Sequence, residues 1–458
     1  MARVKNRVLL VFMHLHAALR PWARRGLGYS VAMSRTSDKH LLVRNANFRA
    51  LWISSTAGLL GTSVAAVALP LIAAVELDAG NFAVAALAGI GYLPWLFFGL
   101  PIGALVDRYR RRPLIIGSLA ARILLLASLP VAYWLDALSL VHLFAVSFLA
   151  GLAAVFFTLA EAALVPRAVD REDLVEGNGL MTGTGASADA AGRTLGGWLT
   201  QLWGASNALL IQVAASVVAL LAVASLKVRE AAQPPVGRRL GREMGDGLRY
   251  ALSTAPLRVL LYVGALWNLG GNIVASVLVL LVVRTIGESA LMLGVVTAAL
   301  AVGGTLGGLT VKRATARLGS GRVWRYSLFP AAAGYASLLF MTPGWGMLPG
   351  IAGLFVTGFF ISQNIVVSTS FRQRVCPPWM MGRLSSANRM VSWGMLAVAG
   401  FAGGALATLL GVREAVFAGL CVALSAPLLA VFGPLRGIRH LEELEPAAEP
   451  QQAAESPL

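Results

Sequence analysis

Two opposite charges stand inside one of the most apolar, small-residue stretches of the chain. Gly183 to Leu199 reads GTGASADAAGRTLGGWL, with Asp189 and Arg193 four residues apart. On a helix such residues are neighbours, and acid before base is the favourable order. In a water-poor setting a carboxylate held by a guanidinium can be charged while paired and neutral once released, which is the chemistry of proton transfer coupled to movement. The plainer reading is a self-compensated structural pair on a packed helix face, and the residues alone leave both open. A second charged group is the GALVDRYRRRPL stretch, with Gly103, Asp107, Arg108, Arg111 and Arg112. Its single acid among four arginines has guanidiniums and helix N-termini as its natural partners.

The elements that carry these groups must lie in a membrane. The chain of 458 residues is 57% hydrophobic and 13% charged, with mean hydropathy +0.73, whereas about 25% charged is usual in soluble domains. Apolar runs near or above the ~20 residues needed to span a bilayer recur at about 51–76, 82–106, 113–135, 138–163, 176–203, 206–226, 257–283, 290–311, 323–342, 346–369, 384–411 and 414–434. The expectation is an all-α membrane protein of twelve spans. Helix five then puts Asp189 roughly 18 Å past Gly177, near the middle of a ~30 Å hydrocarbon core. A charge there costs on the order of 2.5–3.5 kcal/mol on insertion scales.

The net charge of +17 raises the question of nucleic acid, but its distribution answers it. Of 38 Lys and Arg, 34 fall in tails and loops on one side of the twelve spans; Arg284 and Arg413 lie on the other, and Arg122 and Arg193 within spans. By the positive-inside rule both termini are cytoplasmic and the basicity is a topology signal. Four Lys against 34 Arg suggests a high-GC bacterial genome, hence a plasma membrane. Val8 to Leu19 follows a basic start but is too short to span, so the N-terminus reads as a cytoplasmic tail or as upstream of a true start at Met33. The Pro- and Ala-rich C-terminus reads as disordered.

An internal repeat divides the chain. GLTVKRATARLG places Gly308, Lys312, Arg313 and Arg317 on a spacing similar to that of Gly103, Asp107, Arg108 and Arg112, 205 residues later. Leu174 and Asn178 recur as Leu384 and Asn388, 210 residues on. Two six-helix halves in the same orientation imply a pseudo-two-fold along the membrane normal with a shared cavity between them. The domains expected are a tail at 1–46, halves at 47–228 and 257–435, a basic linker at 229–256 with an amphipathic surface helix, and a tail at 436–458.

With G-x-x-x-D-R-x-x-R-R after span two, this 6+6 plan resembles the major facilitator superfamily. NANFRALWISS, VDRYRRRPL, ALVPRAVDREDLVEGNGL, EMGDGLRYALSTAPLRVL and RVCPPWMMGRLSSANR, in order, are similar to its drug:proton antiporter-3 branch of macrolide and enterobactin exporters, over about residues 44–435. The resemblance implies that Gly103, Asp107, Arg108, Arg111 and Arg112 form a loop that biases outward- against inward-facing states. It also aligns helix five with an antiporter motif in which Gly179, Gly192, Gly196 and Gly197 match, Ala188 replaces a glycine and Arg193 replaces a proline. The superfamily's helix-four arginine is absent, and Arg122 on helix three is a candidate substitute.

In such a fold helices one, four, seven and ten line the cavity. That makes Glu161, Asn268, Asn272, Gln363 and Asn364 candidate cavity residues, joined by Arg122 as the stand-in for the helix-four arginine, with interhelical hydrogen bonding as the alternative for the amides. Glu76 reads as solvated and His142 as interfacial. The chain contains no H-E-x-x-H, G-x-S-x-G or P-loop, and its two cysteines exclude a disulfide framework or a cysteine-rich metal site. The expected function is secondary active export of an amphipathic or hydrophobic small molecule by proton antiport, by a monomer in the bilayer without cofactor, metal or nucleic acid. Uptake, lipid movement, or a non-transporting receptor are the alternatives.

Overall fold

The computed structural model describes residues 41–168, 173–227, 248–376 and 380–433. Its described residues are helical with short connections and contain no strand. In lipid no water satisfies backbone N–H and C=O groups, so a spanning segment must satisfy them internally. Leu41–Arg44 form a single helical turn.

Among the described residues from Asn45 onward, twelve rods form two repeated sets. They are α1 (Ala46–Leu71, extended by a π-helical turn at Ile72–Glu76), α2 (Asn81–Arg108), α3 (Arg111–Trp134), α4 (Leu140–Ala168), α5 (Leu174–Trp203) and α6 (Ala205–Ala224). The second set is α7 (Ala255–Val279, extended by a π-helical turn at Leu280–Thr285), α8 (Ala290–Leu318), α9 (Ser320–Tyr326 and Leu328–Ala336), α10 (Leu348–Val375), α11 (Met381–Leu409) and α12 (Val412–Phe432). Ten of them are long and apolar enough to cross a membrane on length and composition; α5, with its charges, and the broken α9 are the others. Local signals set the ends. The Asn45 side chain accepts from Phe48 N at 2.9 Å to cap α1, and Ser289 does the same for α8. Gly204 (φ +86°) and Gly319 (φ +87°) adopt the left-handed backbone that separates α5 from α6 and α8 from α9.

Packing within each set follows one plan. In the first, α1 packs on α5 and α6, α4 on α2 and α3, and α3 and α5 on α6; α7 to α12 repeat every one of these pairs six helices later. The sets meet through α2 against α11 and α5 against α8, which is again a symmetric pair. Both first helices end in a π turn, so the repeat extends to local backbone geometry. This is the major facilitator fold.

Three sequence expectations change. Span nine is not one helix. Pro330 cannot donate to the carbonyl four residues back and its ring crowds that carbonyl, so the helix breaks at Ser327. Span eight does not end near 311, because α8 continues to Leu318 and carries Lys312, Arg313 and Arg317 on its exposed final turns. Glu76 is not simply solvated: Oε1 accepts from Ser206 N at 2.9 Å, and Oε2 from the Ser206 hydroxyl, capping α6. Of the linker, 248–253 are helical; 228–247, residues 1–40 with the Val8–Leu19 segment, and 434–458 lie outside the described residues.

Candidate functional site

The Asp189–Arg193 pair forms as its spacing predicts. Arg193 Nε donates to Asp189 Oδ1 at 3.1 Å and Oδ2 at 3.2 Å. The Ser63 hydroxyl of α1 also donates to Asp189 Oδ1. The side chains are 31% and 28% exposed for Asp189 and Arg193, so the pair is neither sealed in packing nor free in solvent.

Glycines explain how α5 comes so close to its neighbours. A Cβ on Gly192 would sit 2.5 Å from the Leu60 carbonyl and 2.7 Å from Ser63 Cβ, and one on Gly196 2.9 Å from the Val64 carbonyl. Small residues let backbones touch, as in other membrane helix pairs. Gly197 faces the other half: its Cβ would lie 2.4 Å from the Ala290 carbonyl and 3.0 Å from Gly294 Cα. Gly294 in turn faces the Arg193 carbonyl, 2.7 Å from an added Cβ. The turn that begins at Arg193 is therefore part of the contact between α5 and α8.

Arg122 lies next to this group. It is 7% exposed, its Nη2 donates to Thr62 Oγ1 at 2.9 Å, and its Nε is buried without a hydrogen-bond partner. Neighbouring hydroxyls of α1, Thr62 and Ser63, thus serve a buried cation on α3 and a carboxylate on α5. Glu161 on α4 leaves Oε1 buried and unpartnered, with Ser55 of α1 at hand.

The arginine-rich stretch after α2 divides between two helices. Gly103 and Arg108 belong to α2, Arg111 and Arg112 to α3, and Tyr109 and Arg110 alone connect them. Arg112 Nη2 donates to the Ala224 carbonyl at 2.6 Å, neutralising the C-terminus of α6 in its own half. Arg111 is buried. Asp107 is in the last turn of α2, but its side chain, like that of Asn178, lies outside the described ones.

Residues 41–456 match the transmembrane secretion effector family, one model covering nearly the whole chain. The chain belongs to this family of major facilitator transporters. It is 26% identical over 231 residues to macrolide efflux protein A of Streptococcus pyogenes, a match covering 48% of this chain and 55% of that protein. To macrolide efflux protein A of Enterococcus faecalis it is 27% identical over 198 residues, covering 41% and 59%. The chain thus spans little more than half the length of the curated relatives it matches. Its fold is similar to the nucleoside transporter NupG, with TM-score 0.70 at 13% identity over 84% of this chain and 98% of that one. A bacterial homologue of the iron transporter ferroportin in an inward-facing state gives TM-score 0.70 at 14% identity, covering 86% and 99%.

In this chain two polar residues, Gln363 and Asn364, are occupied by packing. Gln363 Nε2 donates to Thr310 Oγ1 of α8 at 3.3 Å. Asn364 Nδ2 donates to the Trp324 carbonyl at 2.8 Å and Ser327 Oγ at 3.1 Å, filling the break in α9. Both side chains are buried. Asn272 donates to the Asn268 carbonyl one turn earlier, at 2.8 Å on the same helix. His142 Nε2 is 2.9 Å from Ser128 Oγ.

Other structural residues escaped the reading of spacings. Trp95 of α2 and Trp393 of α11 have ring centroids 3.9 Å apart, with Tyr92 edge-on to Trp393 at 6.3 Å, joining the two halves. Trp residues are common at membrane boundaries, so nothing local marks these as partners. Ser63 had only a weak signal, as hydroxyls adjoin at Thr62–Ser63 and also at Ser54–Thr56 within the first span. Among the described residues no group of His, Cys, Asp and Glu could hold a metal.

Proposed function

We propose that this transporter exports an amphipathic or hydrophobic small molecule across a bacterial plasma membrane, driven by proton entry, acting as a single chain with both termini cytoplasmic. The moving bodies are the halves at 47–228 and 257–435, joined by the linker at 229–256. The macrolide efflux relatives support export of an amphipathic molecule. The charge asymmetry supports the orientation.

The observation that carries proton coupling is the Asp189 carboxylate. It accepts from Arg193 within one helix and from Ser63 across to α1, on the turn whose carbonyl meets Gly294 of the other half. Protonation of Asp189 removes the charge that holds both donors, freeing Arg193 and loosening α5 from α1. Because that turn also meets α8, the loosening acts at the junction where the halves rock. Asp107 and the arginines around it would bias the two states from the opposite end.

Efflux from cells carrying Asp189→Ala with Arg193→Ala tests this, with an uncoupler as control. Removing both charges leaves an ordinary small-residue helix and need not harm folding. Loss of uncoupler-sensitive efflux at normal expression is the expected result. Retention would make the pair architecture alone.

A further inference from the structure

A cavity of about 260 Å³ opens between α8, the start of α9 and the end of α10, at the arginine-rich end of the second half. That is below the roughly 300–1,000 Å³ of a drug-sized site. Two cations line it, Lys312 from α8 and Arg374 from α10, with Ser320 and Ser370 between, and no carboxylate is among its described lining residues. Val366 and Phe371 provide its apolar wall. Lys312 occupies the repeat position held by Asp107 in the first half, so the sign of the charge is reversed in this half only.

We propose that this cavity holds the phosphate of an anionic phospholipid of the cytoplasmic leaflet. The order of groups along α10 carries the identification. Val366, Ser370 and Arg374 follow at four-residue intervals on one face, about 6 Å apart. Apolar, hydroxyl and cationic groups thus succeed one another from inside the span to its end, in the order of acyl chain, glycerol ester and phosphate. Val366 is 39% exposed, so the apolar step is open to a lipid tail. A free phosphate would use the two cations and leave that step unused. Cationic pockets between spanning helices on the cytoplasmic side suit anionic headgroups. The lipid would bridge α8 and α10 and clamp the second half. This inference is independent of what the transporter carries.

The test is retention of lipid by the purified full chain in detergent, read by native mass spectrometry and thermal unfolding. Phosphatidylglycerol, phosphatidylcholine and inorganic phosphate are titrated separately. Phosphatidylglycerol should bind at one tight site and raise the unfolding temperature, while the zwitterionic lipid and inorganic phosphate should not. At about one cation's worth of attraction each, Lys312→Ala should weaken that binding roughly five-fold and the double variant with Arg374→Ala roughly thirty-fold. Ser370→Trp, which fills the cavity and keeps both cations, should also abolish the tight site, so the result does not hang on the double variant folding. Arg313→Ala with Arg317→Ala, exposed but outside the cavity, should retain it. Protection by inorganic phosphate alone, equal binding of the two lipids, or tight binding that survives Ser370→Trp would each overturn the proposal.

Discussion

Arg284 Nη2 donates to the Ala74 carbonyl at 2.7 Å, joining the π turn that ends α7 to the π turn that ends α1. The same guanidinium reaches Asn81 Oδ1 at 3.2 Å and Asp78 Oδ1 at 3.3 Å. A π turn shifts the hydrogen-bond register to i→i+5 and is frequent at functional positions. Here two such turns at equivalent places in the repeat face one another, and a cation from one half clasps the other. Close backbone contacts at Gly89–Gly400 and Gly197–Gly294 lie toward the same end of the bundle, so that end is shut.

Arg284→Ala should therefore open that end. With three partners but partial solvent exposure, the clasp contributes on the order of 1–2 kcal/mol, enough to shift the two-state population by about five- to thirty-fold. Spin labels at Asp136 and Leu409, exposed positions in the two halves at this end, should report a longer mean distance in the variant. An unchanged distance distribution would leave the clasp without a gating role.

Gly400→Val tests the same closure by sterics. A Cβ there would lie 2.4 Å from Gly89 N and 2.6 Å from Gly89 Cα, both unyielding backbone atoms. The closed arrangement should be penalised by about 1–3 kcal/mol while each half keeps its own packing. Transport should fall with expression unchanged, and the label pair should again separate. Wild-type efflux in this variant would show that α2 and α11 need not meet so closely.

Asp107→Asn should leave a folded, membrane-inserted protein with impaired turnover. Neutralising a carboxylate at a membrane boundary costs little, whereas a state-dependent ion pair sets the populations of the two conformations. Unaltered transport rates would reduce the arginine-rich stretch to an anchor, a role Arg112 already has through its bond to Ala224.

The two cysteines should react at different rates. Cys421 is exposed on α12 and Cys376 is buried just beyond α10. Burial pushes the Cys376 thiol up from its ordinary value, so at neutral pH its thiolate, the reactive form, is scarcer than in an unfolded chain. In detergent, maleimide should modify Cys421 first. The rate at Cys376 should rise with pH through and above the usual thiol range of about 8.5. Mass spectrometry of the peptides at pH 7 and 9 checks this, and equal rates at pH 7 in folded and denatured protein would refute it.

Much of this architecture is legible in the residues alone. A bilayer permits helices of one minimum length and penalises charge, so apolar runs and arginine counts disclose the spans, the repeat and the expected orientation. The Asp189–Arg193 contact is legible for the same reason, being a matter of i,i+4 geometry within one helix. Ser63 on Asp189, Thr62 on Arg122 and Arg284 on Ala74 are different. Each pairs residues 60 to 210 positions apart, and spacing carries no information about which helix faces which. The glycines show the same limit. Sequence marks Gly192, Gly196 and Gly197 as small, but the tertiary structure assigns the first two to α1 and the third to α8 of the other half. Gln363 and Asn364 are polar in sequence and were equally suited to substrate or packing. The break at Ser327, set by Pro330, leaves a buried carbonyl and hydroxyl that Asn364 satisfies, and Thr310 takes up Gln363. Helix existence follows from local chemistry and the solvent, whereas helix partnership follows from backbone approach, which only the assembled bundle determines.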